Sequence, residues 1–328
     1  MAPEVPSPVV DLRPLTTSEL IDRGFSLYRQ NFAGLLLLAL LGQAVPLIVE
    51  VAVNTLHLMP TTNDMMVPSV RSLENSVALT ALGFLALLVS FFFGVVMTFY
   101  VADVYLGKTP SLADSFRRFS RLVVGSTWTF ILKYLFYGLT LVFPMIALVA
   151  VTVWYSVWPP ASFGAFVLLG LAVLVLIVAS LVPILIVVMR LMLAVPVLAM
   201  EGLSGWAACR RSSALVRYDP GLGFFYWGET RLSLLLLPLF VIHALISSLT
   251  SVPMIIAQIN EVVRHGSTTQ LTNPSDAVVV GSQVLTYLSG ALILPLYTIA
   301  ITIFYYDVRI RREGFDLEFL AQRLEAVR

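Results

Sequence analysis

Residues 134–189 read YLFYGLTLVFPMIALVAVTVWYSVWPPASFGAFVLLGLAVLVLIVASLVPILIVVM, and none of them is Asp, Glu, Lys, Arg or His. The run is bounded by Lys133 and Arg190. A core helix of a soluble domain needs no such length of uncharged chain, whereas a membrane crossing needs about 20 apolar residues. The stretch therefore holds two crossings joined at 155–161. Working outward, four more segments of the same kind appear, giving six in all: Phe32–Asn54, Ser76–Leu106, Leu122–Trp154, Ser162–Met200, Ser233–Ile259 and Ala277–Tyr306. They are continuous rather than alternating, which excludes transmembrane β-strands. The composition agrees, with 59% of the 328 residues hydrophobic and 12% charged. A net charge of +1 gives no field that would gather nucleic acid. The single cysteine, Cys209, excludes an internal disulfide and a cysteine-rich metal site.

The connections alternate in charge. Of all Lys and Arg residues, the connections at 55–75, 155–161 and 260–276 hold only Arg71 and Arg264, while the N-terminal segment, 107–121, 201–217 and the tail from 307 together hold fifteen. This is a positive-inside pattern, and it places both termini in the cytoplasm. Trp154, Tyr155 and Trp158 fit an outer aromatic belt, and Tyr226, Trp227, Tyr305 and Tyr306 an inner one. Residues 1–15 carry Pro3, Pro6, Pro8 and Pro14 and read as a disordered cytoplasmic tail rather than a cleavable signal peptide. The even-numbered crossings are too long. Ser162 to Glu201 spans 40 residues, about 60 Å of helix against a hydrocarbon core of about 30 Å. Helices two, four and six are expected to project past the inner face, with kinks at Pro183, Pro196 and Pro295.

A short amphipathic segment precedes each odd-numbered crossing. The first starts at Thr16, with Glu19 placed to complete a capping box. The second starts at Ser111 with the stripe Leu112, Phe116, Phe119 and Val123 at helical spacing. The third starts at Ser204 and has the weaker stripe Leu203, Trp206, Ala207 and Ala214. A last one closes the chain over 314–328, with Leu317, Leu320, Leu324 and Val327. The even-numbered crossings also end alike, in Asp103-Val-Tyr-Leu, Glu201 and Asp307-Val-Arg-Ile. The reading is an all-α membrane protein with six transmembrane helices in three parallel repeats of interfacial amphipathic helix plus transmembrane hairpin. The repeats cover about 16–106, 107–202 and 203–307 of a single membrane domain, 16–328.

The stretches TTSELIDRGFSLYRQNF, EGLSGWAACRRSSALVR and LPLYTIAITIFYYDVRIRREGFDLEFL carry a further signal. Together they resemble a family of bacterial six-helix membrane proteins often labelled as the membrane region of glycerophosphoryl diester phosphodiesterase. The resemblance spans most of the chain, and YYDVRIRREGFDL is its most specific part. It implies the fold, the topology and the bacterial cytoplasmic (inner) membrane. The phosphodiesterase chemistry of that label belongs to a separate soluble barrel with a metal-binding carboxylate cluster, which these residues do not contain. Stand-alone members have no established function.

The chemistry-bearing residues are sparse. His57, His243 and His265 are not spaced as metal ligands, and His243 reads as a packing residue of the fifth crossing. Leu106-Gly107-Lys108-Thr109 resembles the end of a phosphate loop, but Ala102 stands where its first glycine belongs. There is no nucleophile elbow and no metal or cofactor motif, so an enzyme is not expected. Three charges fall within or near the crossings: Glu50, Lys133 and Arg190. Glu50 lies near the outer end of helix one, within reach of water. Lys133 can snorkel to the inner surface. Arg190 lies about 16 Å before Glu201 but about 42 Å beyond Ser162, and we read it as interfacial. Glu229 and Arg231 read as an inner interfacial pair.

What remains is a basic cytoplasmic collar. Its candidate contacts with a partner or with anionic lipids are Arg23, Arg29, Arg117, Arg118, Arg121, Arg210, Arg211, Arg217, Arg309, Arg311 and Arg312. Asp103, Glu201 and Asp307 are its candidate acids, placed to pair with arginines of a neighbouring repeat. The expected partners are membrane lipids and another envelope or cytosolic protein. The expected role is a non-enzymatic scaffold or accessory subunit of an envelope complex. The alternative is a transporter or lipid-handling protein with a pocket between the repeats, a setting in which prolines often break pocket-lining helices. A third possibility is lipid organisation by the interfacial helices alone.

Overall fold

Thr16 starts the first helix as its spacing predicts. In the computed structural model, which describes residues 13–56, 70–157, 162–217, 227–265 and 276–317, its backbone N–H donates to Glu19 Oε2 at 2.7 Å. The Glu19 N–H returns to the Thr16 hydroxyl at 3.4 Å, closing the capping box. The Thr16 N–H, the guanidinium of Arg13 and the Thr16 hydroxyl together hold the Glu19 carboxyl down to about 2. A carboxyl depressed by folding stabilises fully above its unfolded value and loses that contribution as pH falls through the folded one. Acidification between 4.5 and about 2 therefore loosens the start of this helix. Amide exchange of residues 17–20 should rise across that window in the native chain and stay flat in Glu19→Gln. An equal acid response in both would break the link to this carboxyl.

Ten helices follow one another among the described residues, with no strand. They are α1 (Thr17–Gln30), α2 (Phe32–Thr55), α3 (Val70–Tyr105), α4 (Leu112–Ser120) and α5 (Val123–Val157). Then come α6 (Phe163–Leu191), α7 (Ala194–Glu201), α8 (Trp206–Val216), α9 (Gly228–His265) and α10 (Asp276–Glu313). Six stretches are long and apolar enough to cross a membrane, and α7 completes the fourth of them. Short helices α1, α4 and α8 each precede a pair of long ones. Ser111 caps α4 by accepting the Asp114 N–H, as its position predicts. The third short helix departs from expectation, because its N-cap is Gly205 rather than Ser204.

The chain divides into two compact units. The first holds residues 1–123 and 234–328. Here α2, α3 and α10 pack against one another, α1 covers α10, and α4 covers α3. Its core is built from Leu38 and Ala39 of α2, Val95 and Met97 of α3, and Ile303 and Phe304 of α10, all fully buried. Gly42 permits the close approach of α2 and α3, since a Cβ there would stand 2.9 Å from that of Phe93. Ser90 donates across the same contact to the Gly42 carbonyl at 3.0 Å. Tyr28 ties α1 down by donating to the Leu292 carbonyl at 2.8 Å. Burial pushes its phenol up, which keeps it a donor. The second unit, residues 124–233, has its core at Phe130, Leu193, Val197, Leu198 and Ala208, where α7 packs on α8.

Three expectations change. The fourth crossing is not one rod of 40 residues, because α6 ends at Leu191 and α7 begins at Ala194. Pro196 cannot donate to the Met192 carbonyl, and its ring crowds that group. Pro183 and Pro295 remain inside continuous helices. Excess length is also not confined to the even-numbered helices, since α5 and α9 run for 35 and 38 residues. At about 53 and 57 Å, both exceed the core as α3 and α10 do. Their ends carry polar residues that water can solvate, so the helix continues beyond the apolar stretch. Finally, Tyr305 and Tyr306 are not belt residues but core, at 0% and 2% exposure. Tyr306 stacks on Tyr105 of α3, ring centroids 5.2 Å apart. The tail over 1–12, His57, Trp158, Tyr226 and the closing stripe beyond Leu317 lie outside the described residues.

Candidate functional site

Each of the three collar acids meets an arginine. The Asp103 carboxylate at the end of α3 receives Arg118 of α4, with Nη1 donating to Oδ1 at 3.2 Å and Nη2 to Oδ2. Glu201 at the end of α7 receives Arg211 Nε of α8 at 2.9 Å. Asp307 near the end of α10 receives Arg311 Nε at 3.0 Å and, through Oδ1, the Leu15 backbone N–H at 2.8 Å. Arg311 Nη2 then donates to the Leu15 carbonyl at 2.6 Å, so the chain just ahead of α1 is clamped from both sides. Asp103 and Glu201 thus take an arginine of the next repeat as expected, whereas Asp307 takes Arg311 of its own helix, four residues on, and holds the segment ahead of α1 through the Leu15 backbone instead. Asp307 is fully buried, Asp103 nearly so and Glu201 half-buried.

Arg118, Arg211 and Arg311 are thereby committed to these locks. The other candidates divide. Arg23 lies 4.9 Å from the Tyr105 ring centroid, Arg117 pairs with Asp114 at 2.7 Å, and Arg309 pairs with Glu313 at 3.0 Å and faces the Phe315 ring. Arg217 and Arg312 are exposed. So are Arg29 in the last turn of α1, Arg121 at the C-cap of α4 and Arg210 in α8, and none of these three pairs with an acid among the described residues.

The membrane charges are also accounted for. Arg190 Nε donates to Glu229 Oε1 at 2.6 Å, joining the end of α6 to the start of α9. Glu229 was expected beside Arg231, two residues on. Side chains two apart on a helix point away from each other, and the longer-range cation takes the acid. Lys133 is half-buried near α8, its Nζ 5.7 Å from the Tyr137 ring centroid. It pulls on the thiol of Cys209, which burial pushes up. Glu50 turns toward α10, where the Tyr287 hydroxyl donates to Oε2 at 2.6 Å and Gln283 Nε2 to Oε1 at 3.4 Å. Neither partner was anticipated. Their signal was present as two polar residues spaced i, i+4 inside an apolar span. His243 sits edge-on to Tyr297, and its Nδ1 is buried without a hydrogen bond among the described residues.

No group of three or more His, Cys, Asp or Glu side chains among the described residues is placed to hold a metal. A crevice between α1, α9 and α10, lined by Leu20, Gly24, Leu239 and Leu296 among others, has about 20 Å³ of space, enough for one water.

Six apolar spans among the described residues, whose regular elements are all helices, define a multi-pass membrane protein. No family model, curated protein or solved structure matches it.

Proposed function

We propose that the chain is a non-enzymatic protein of the bacterial cytoplasmic membrane, with both termini inside, that serves as a scaffold or accessory subunit of an envelope complex. It is built from three parallel repeats, and each amphipathic helix lies at the inner surface. The resemblance to the bacterial six-helix family supports this organisation. The observation that carries the reading is the division of labour among the arginines. One arginine per acid holds the fold, while each short helix keeps or ends in one exposed arginine, Arg29, Arg121 or Arg210, without an acid partner among the described residues. Exposed arginines on short helices that structural locks hold in place suit an acidic partner surface, which they would steer and orient.

The test is purification from native membranes, with mass spectrometry of everything bound. Changing Arg29, Arg121 and Arg210 together to Glu should release a stoichiometric protein partner, while the Lys variants retain it and both still insert. Arg211 is left alone because Glu201 depends on it. A partner that stays bound to the Glu variant would end the docking idea. A second reading, transport or lipid handling, is favoured by the Glu50 cluster inside the membrane. A lone chain carrying one class of lipid or small molecule would support it instead.

A further inference from the structure

Glu50 lies five residues before the end of α2, about 8 Å inside an apolar helix. Ionised groups at such depth are costly and usually functional. No Lys, Arg or His among the described residues pairs with it. Its two recorded hydrogen bonds come from neutral donors, Tyr287 at 2.6 Å and Gln283 at 3.4 Å. The second observation concerns Gln283, which is 9% exposed. The same carboxamide that meets Glu50 has its Oε1 buried without a hydrogen bond among the described residues. Rotating the amide, with a proton on Glu50, would only exchange the orphan, leaving the NH2 group without an acceptor. A proton alone therefore does not complete the cluster. A cation beside the cluster does so if the amide keeps its N–H on Glu50, because it neutralises the carboxylate and meets the amide oxygen that has no donor among the described residues.

We propose that Glu50, Gln283 and Tyr287 form a site for a monovalent cation between α2 and α10. One carboxylate supplies a single negative charge, which a monovalent ion neutralises and a divalent ion would not. Oxygen ligands suit hard cations in general, and the single charge selects an alkali ion among them. The N–H groups of a primary ammonium, such as that of an ethanolamine headgroup, meet the same oxygens by charge-assisted hydrogen bonds. The site is separate from the basic residues of the short helices, so it stands or falls without the docking reading.

The experiment is thermal unfolding of the full chain in detergent at constant ionic strength, with sodium or potassium replacing choline, which is too large and offers no N–H. Native chain at 100 times the Kd should show a ~100-fold shift of the folding equilibrium, and Glu50→Gln should show none. Gln283→Met, which keeps the carboxylate, should need about ten times more cation for the same shift. It carries the test if Glu50→Gln does not fold. The same comparison in bilayers of ethanolamine against choline lipids separates the sources. A response to the alkali ion assigns a free cation, and a response to ethanolamine lipid alone assigns a headgroup. The proposal is overturned if neither arm responds, if the variants respond like the native chain, or if stability follows pH and ignores the cation.

Discussion

Asp307→Ala lowers the stability of the folded chain by about 2–4 kcal/mol, about 1–3 for stranding the buried Leu15 N–H and about 1 for the pair with an exposed arginine. The Asp307 carboxylate is fully buried and, among the described residues, accepts from Arg311 Nε on both oxygens and from the Leu15 N–H on one. Truncation leaves the Leu15 N–H without its acceptor and Arg311 beside a void. Asp307→Asn keeps the shape and one acceptor oxygen, so its cost falls to about 1–3 kcal/mol, that of an imperfectly met hydrogen bond. Unfolding of the full chain in detergent, followed by helical signal, gives both numbers. The change should also be local. Proteolysis or amide exchange should report early opening of α1, which Leu15 joins to α10. If Asp307→Ala melted with the native chain, the clamp would be dispensable.

Gly205→Ala is the second large effect. Gly205 has φ +59° and ψ −127°, a conformation side chains rarely adopt, at the N-cap of α8. A Cβ there runs into the indole of Trp128. The Gly205 N–H also donates to Thr129 Oγ1 at 2.8 Å, so the backbone is not free to rotate out of the clash. Backbone strain of about 1–3 kcal/mol adds to about 1–3 kcal/mol of overpacking, for a loss of about 2–6 kcal/mol. Gly202→Ala is the control. Its φ of +69° is also positive, but nothing lies within 4 Å of the added carbon, so only the left-handed cost of about 1–2 kcal/mol remains. Equal losses in the two variants would remove Trp128 from the explanation.

The apolar spans and the caps at Thr16 and Ser111 were legible in the sequence because both depend on neighbours within a turn or on runs of one character. The likeness of Asp103, Glu201 and Asp307 was legible too. Which arginine each would take was not. Arg117 and Arg118 differ by 100° around α4, and only packing of α4 on α3 turns Arg118 inward. Phe116 and Phe119 pack on Phe93 and Phe92, while Ser115 is the residue fully buried at the contact. Arg190 and Glu229 lie 39 residues apart, and no local pattern joins them. The prolines show the same limit. Pro183, Pro196 and Pro295 read alike, yet only Pro196 stands at a break. There the Ser212 hydroxyl donates at 2.6 Å to the Arg190 carbonyl, a group that Ala194 would otherwise have bonded. A tertiary donor makes the break tolerable, and that donor lies on another helix.

The clamp on Leu15 spans 292 residues of chain. A ribosome adding about 5–20 residues per second needs about 15–60 s to cover that distance. Throughout that interval the first helix is without its final contact, because Asp307 and Arg311 have not been made. A chain that lacks α10 lacks both bonds to Leu15, so the start of α1 is without its clamp. The same bonds that join the start of α1 to α10 therefore also report that α10 has been made and has packed.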